Sequence, residues 1–164
     1  MSVPTANLVL CGRAMATAGL VTDVDTAQKN PVGTTAWDIF GNEYVYMQGV
    51  ASTVLGTWVV YDELFVTTRL ISNGLGAVAI ARAAVNATTS FGWFGIKGSF
   101  TGLCLANYAD NAKVWATGTA GSVDDADVAV DLIINAVGRS ARDATTGLAT
   151  FQIHYPFALN EVYN

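Results

Sequence analysis

Charge is what this chain most lacks: Asp, Glu, Lys and Arg together make up 13% of its residues, against roughly 25% in ordinary soluble domains. Apolar residues make up 52%. A free monomer of that composition has too few charged side chains to cover its surface, so a neighbour is expected to cover part of it. Long apolar runs are missing too. The best, around Leu132–Val137 and Ala77–Ala81, are strand-length, far short of the roughly 18 consecutive apolar residues a spanning helix needs, so a membrane is not expected as a partner. Basic patches are also absent. The eight Lys and Arg side chains stand singly in a chain of net charge −5, which argues against nucleic acid, whose phosphates demand clustered cations.

Cysteine and histidine are nearly absent. Cys11 and Cys104 lie far apart in apolar surroundings and form no metal spacing; they are expected as buried free thiols of a protein folded in a reducing cytoplasm. The opening MSVPTANLVLCGR has no basic leader, its apolar stretch is interrupted by Arg13, and Leu10 stands where a lipidation signal wants a small residue before Cys11. Secretion by such a signal is not expected.

What is present is the texture of short strands. The length of 164 residues suits one domain plus an arm. Residues 1–36 carry Pro4 and Pro31 and show no sustained period, and are read as an extended N-terminal arm; residues 37–164 are read as a single all-β barrel or sandwich. The clearest strand is TFQIHYPF, where Phe151, Ile153, Tyr155 and Phe157 alternate with polar residues and are expected on the core face. Pro156 has no N–H to give, which predicts an edge strand or a strand end there. The preceding VDLIINAVG is expected to pair with it as a hairpin across the RSARDATTG loop. Further strands are expected in EYVYMQGV (43–50), TWVVYDEL (57–64), FVTTRLIS (65–72), GAVAIARAAVNAT (76–88) and SFGWFGIKGSF (90–100). The first is apolar on both faces, which implies cover on both sides.

Groups able to do chemistry do not converge in the sequence, and no catalytic, cofactor-binding or metal residue is expected. His154 lies on the polar side of the last strand without a recognisable nucleophile or orienting acid. A calcium loop starting at Asp125 would need an oxygen ligand and then glycine where Ala129 and Val130 stand, so Asp124, Asp125, Asp127 and Asp131 are read as a solvated turn. Asp62 and Glu63, if on a strand, point to opposite faces and make no acid/base pair. Trp37, Trp58, Trp93 and Trp115 are read as core or interface anchors, with a glycan-binding face of the tail-fibre or spike type as the rival reading.

From Asn42 to Leu159 the order of features runs GNEYVYMQGVA, GTWVVYDE, VAIARAAV, FGWFGIKG, FTGLCLA, AKVWATGTAGSVDDA, VDLIINAVGRS and GLATFQIHYP. In texture and order this segment resembles the small decoration, or cement, proteins of tailed-bacteriophage heads. The resemblance implies a β-barrel or β-tulip-like domain, a homotrimer, and a seat on the outer surface of the virion, over the three-fold positions of a lattice built by the major capsid protein. Within that expectation, Val3, Leu8, Val9 and Leu10 are assigned to shell contact and Tyr44, Tyr46 and Trp58 to packing between subunits.

Overall fold

The chain is all-β. The computed structural model describes residues 7–10, 17–127 and 131–160, and among these the strands in chain order are β1 (Asn7–Leu10), β2 (Thr17–Leu20), β3 (Val24–Asp25), β4 (Thr35–Trp37), β5 (Glu43–Gln48), β6 (Trp58–Tyr61), β7 (Thr67–Arg69), β8 (Gly76–Ala81), β9 (Phe91–Leu103), β10 (Trp115–Ala116), β11 (Val123–Asp124), β12 (Ile133–Gly138) and β13 (Leu148–Ala158). Eleven of them form one sheet with the path β2-β1-β4-β5-β9-β13-β8-β6-β7, to which β12 adds beside β13 and β3 beside β9; β10 and β11 pair separately. Every strand pairing is antiparallel, and the sheet curls into a half-barrel, bringing Val66 against Gln48 in a parallel bridge. The Thr67 hydroxyl fastens that closure by donating to the Gln48 carbonyl at 2.7 Å.

Two apolar clusters lie on opposite faces of the curled sheet, and strand alternation assigns residues to them. Tyr44 and Tyr46 of β5, Trp58 of β6, Val78 and Ile80 of β8 and Trp93 of β9 enter the larger cluster with Phe100, Tyr108, Phe151 and Ile153. Their neighbours Val45, Met47, Val59, Ala79, Ala81, Phe94 and Ile96 enter the smaller one, against which Tyr61 and Phe65 pack. The chain therefore covers both faces of β5 by itself. A helix-like composition sits in a strand at β8 because its side chains alternate between two cores: Ala79 and Ala81 pack in the second cluster beneath its larger members, while Val78 and Ile80 hold the strand to the main core.

Three expectations are corrected. First, the region read as an arm is woven into the sheet: β1 lies between β2 and β4, β3 pairs with β9, and β4 crosses the expected boundary at residue 36 to pair with β5. Strands of two to four residues are too short to show a period in sequence. Second, Pro156 is on an interior strand. β13 has β9 on one side and β12 on the other, and beyond the proline it pairs with β8. The proline is tolerated because the ladder breaks there: Tyr155 adopts φ 51° and, opposite it, Asn135 adopts φ 59° at a register shift in β12. Third, that bulge reverses the alternation. Phe151 and Ile153 are buried as expected, but Tyr155 and Phe157 face outward while Pro156 and Ala158 turn in.

One glycine is required by a close approach near this bend. At Gly98 (φ 129°) β9 passes from pairing with β8 to pairing with β13, and the Asn42 side chain fills the space a Cβ would need. That lets Asn42 Oδ1 accept the Ser99 N–H at 3.1 Å.

Candidate functional site

Register across the sheet gathers the four most exposed apolar side chains at one end. Trp37 pairs with Glu43, Glu43 with Lys97 and Lys97 with His154; past the bend, Phe157 pairs with Ala77, Ala77 with Tyr61 and Tyr61 with Thr67. This row crosses seven strands, a path of about 28 Å at the usual strand spacing. The β4–β5 turn, the β6–β7 turn and the bend of β13 all project from it. Ile39 (80% exposed), Phe40 (63%), Leu64 (67%) and Leu75 (65%) stand on this rim, with Tyr155, Phe157 and Val66 about half-exposed among them. Each large side chain would gain about 1.5–3 kcal/mol on full burial.

The β4–β5 turn is held rigidly. Asp38 Oδ1 accepts the N–H groups of Phe40 and Asn42, both at 2.9 Å, and Oδ2 accepts the Asn42 side-chain amide and the buried Tyr44 hydroxyl, both at 2.8 Å. Burial alone would push this carboxyl up, but these hydrogen bonds together outweigh it and hold it below the usual carboxylate range. Burial, followed by the bond to Asp38, raises the Tyr44 phenol. The backbone closes the same turn, Asp38 N–H donating to the Asn42 carbonyl and Gly41 N–H to the Asp38 carbonyl. Ile39 and Phe40 are thus presented on a preorganised prong.

Around the β6–β7 turn lies a cleft of about 570 Å3, lined by Val60, Tyr61, Phe65, Val66, Leu75 and Ala77 together with Asp62 and Glu63. Tyr61 and Phe65 stack at 6.1 Å to make one wall. Asp62 is in the turn and not on a strand, accepting the N–H groups of Leu64 and Val66 at 3.0 and 2.9 Å; the strand alternation expected to send the two acids to opposite faces does not apply there, and both border this cleft. On the other flank, a depression of about 340 Å3 is bordered by Gly41, Lys97, Ser99, Arg139, Gln152 and His154. Arg139 is fixed there by Gln152 at 2.9 Å and Asn111 at 3.2 Å. Between the two, Tyr155 donates to Glu43 at 2.6 Å, a bond that raises its phenol, with burial adding to it.

The residues assigned to subunit packing are elsewhere. Tyr44, Tyr46 and Trp58 are 4%, 0% and 0% exposed within this chain's own core, and a side chain without surface cannot touch a second copy. Tyr46 instead donates to the buried Asp25 at 2.7 Å, and Asp25 is ion-paired with Lys29. Their aromatic character was visible in sequence, but the strand that covers them was not. Val3 lies outside the described residues. The backbone of Leu8, Val9 and Leu10 belongs to β1, between β2 and β4. Two tryptophans, Trp58 and Trp93, are core; Trp37 and Trp115 are half-buried.

Two aspartates of the failed calcium loop accept backbone N–H groups from other segments. Asp125 receives the Ala109 N–H at 2.8 Å, and the buried Asp131 receives that of Asn73. Among the described residues no group of three or more His, Cys, Asp or Glu is arranged to hold a metal ion. Comparison of the chain with protein-family models, with curated proteins and with solved structures returned no match.

Proposed function

We propose that the chain is a structural virion protein that binds the outer surface of a tailed-phage capsid as a homotrimer and stabilises the expanded shell. The observation that supports this reading is the apolar rim: a chain that already buries Tyr44, Tyr46, Trp58 and Trp93 still presents Ile39, Phe40, Leu64 and Leu75 to solvent along one end. Apolar surface gathered in this way marks a contact with another macromolecule, and a charge-poor chain gains by having that surface covered. The sequence resemblance to head decoration proteins supplies the identity of the assembly.

The physical mechanism needs no reacting group. Three joined subunits engage symmetric sites together, so a modest affinity per subunit becomes a firm hold. A protein that binds the expanded shell and not its precursor lowers the free energy of the expanded state by mass action. The test is cosedimentation with expanded and with precursor heads of the tailed phage that encodes the chain. Saturable binding to expanded heads, with a raised temperature of shell disruption, is the expected result; equal or absent binding to both forms refutes the reading. Deleting residues 2–13 in the same assay examines the assignment of Val3, Leu8, Val9 and Leu10, and unchanged occupancy would remove it.

A further inference from the structure

We propose that the Ile39–Phe40 prong of one copy seats in the Tyr61–Phe65–Leu75 cleft of a second copy, joining copies head to tail into a ring. This deepens the homotrimer reading, on which it rests, by naming the surfaces that meet.

Three observations select a second copy as the occupant. The prong and the cleft are both apolar, and the prong is held by four hydrogen bonds to Asp38, so little ordering is lost when it docks. The flanking charges are complementary. Lys97 and Arg139 border the depression that begins at Gly41, beside the prong, while Asp62 and Glu63 border the cleft. Among the described residues the one ion pair is Lys29 with Asp25, so among those residues these four charges have no ionic partner and would fix orientation by pairing across a contact. Finally, the prong and the cleft project from the same cross-sheet row but from different strands, the β4–β5 turn against the β6–β8 end. Two distinct patches can meet reciprocally in a two-fold pair or in succession around a ring; the homotrimer reading selects the ring, and a full chain that scatters as a dimer overturns it.

The experiment measures mass by light scattering for the full chain, for Phe40→Glu, for Leu75→Glu and for an equimolar mixture of the two variants. Both positions are exposed, so unchanged thermal unfolding is expected and separates a lost contact from a lost fold. The full chain is expected to be oligomeric and each variant alone monomeric. The mixture is expected to form a one-to-one dimer that goes no further, because one variant keeps an intact cleft and the other an intact prong. Variants that keep the full chain's mass overturn the inference while leaving a homotrimer standing. A mixture that stays monomeric overturns it as well. A full chain that is monomeric at every concentration overturns inference and trimer together, whereas a trimer that ignores expanded heads refutes only the capsid reading.

Discussion

Replacing Asp38 by Ala examines the idea that one carboxylate organises the rim. The side chain accepts from Phe40 N, Asn42 N, Asn42 Nδ2 and Tyr44 Oη. Its loss strands the buried Tyr44 hydroxyl, at about 1–3 kcal/mol, and removes the acceptor of two turn N–H groups that water satisfies in part, at about 0.5–1 kcal/mol each. The total is about 2–5 kcal/mol. For a chain of this length each kcal/mol moves the midpoint by about 2–4 °C, so a mid-range loss of about 3.5 kcal/mol lowers Tm by about 7–14 °C. Tyr44→Phe alone removes one charge-assisted bond and is expected to cost about 1.5–3 kcal/mol. Combining the two should cost less than their sum, since no hydroxyl is then left stranded, and a double-mutant cycle by urea unfolding reads the difference as coupling.

The pH dependence of that coupling follows from the lowered carboxyl. Between its folded pKa and the unfolded value of about 3.9, the unfolded chain binds more protons than the folded one. The stabilisation is therefore present above about pH 4 and lost as pH falls through the folded value. An Asp38→Ala variant within about 1 kcal/mol of the parent, or a coupling that is the same in acid as at neutral pH, would falsify the assignment.

Gly102→Ala places a methyl 2.7 Å from Trp58 Nε1 and 3.1 Å from Phe151 in the main core; urea unfolding is expected to show a loss of about 1–3 kcal/mol from overpacking. Cys104 is buried and its thiol, desolvated, is pushed up to about 11, so in a Cys11→Ser background a thiol reagent should label it only at the rate of unfolding, and fast labelling of the folded chain would contradict its placement. Burial first, and then the bond to Asp25, pushes Tyr46 up to about 12, and Tyr44 and Tyr108 are raised chiefly by burial. Folded phenols that hold their protons more tightly than unfolded ones give stability that is full below about pH 10 and lost as pH rises through the folded values; tyrosinate absorbance from these residues should therefore appear together with unfolding, and a titration completed before the fold is lost would count against their burial.

Composition and alternation sufficed for the fold class and for most of the strands, including the hairpin of β12 with β13, because period-two patterning in runs such as Phe151 to Ile153 reports directly which side of a strand faces the core. The apolar excess was also legible, since it needs only counting. What alternation cannot report is a phase change. A left-handed residue at Tyr155 shifts the alternation, turns Tyr155 and Phe157 outward and allows a proline inside the sheet; Pro156 signals locally that the ladder is broken but not which side chains turn outward, because that constraint comes from β9, β8 and β12 meeting there. The same limit applies to the candidate site. Ile39, Phe40, Leu64 and Leu75 are ordinary apolar residues in turns, and only the register of seven strands brings them to one rim, while burying the tyrosines and the tryptophan that the sequence pattern offered to a partner. Which side chains a strand must hide is a local matter of periodicity; which of them remain exposed is settled by non-local pairing, and tertiary structure alone decides it.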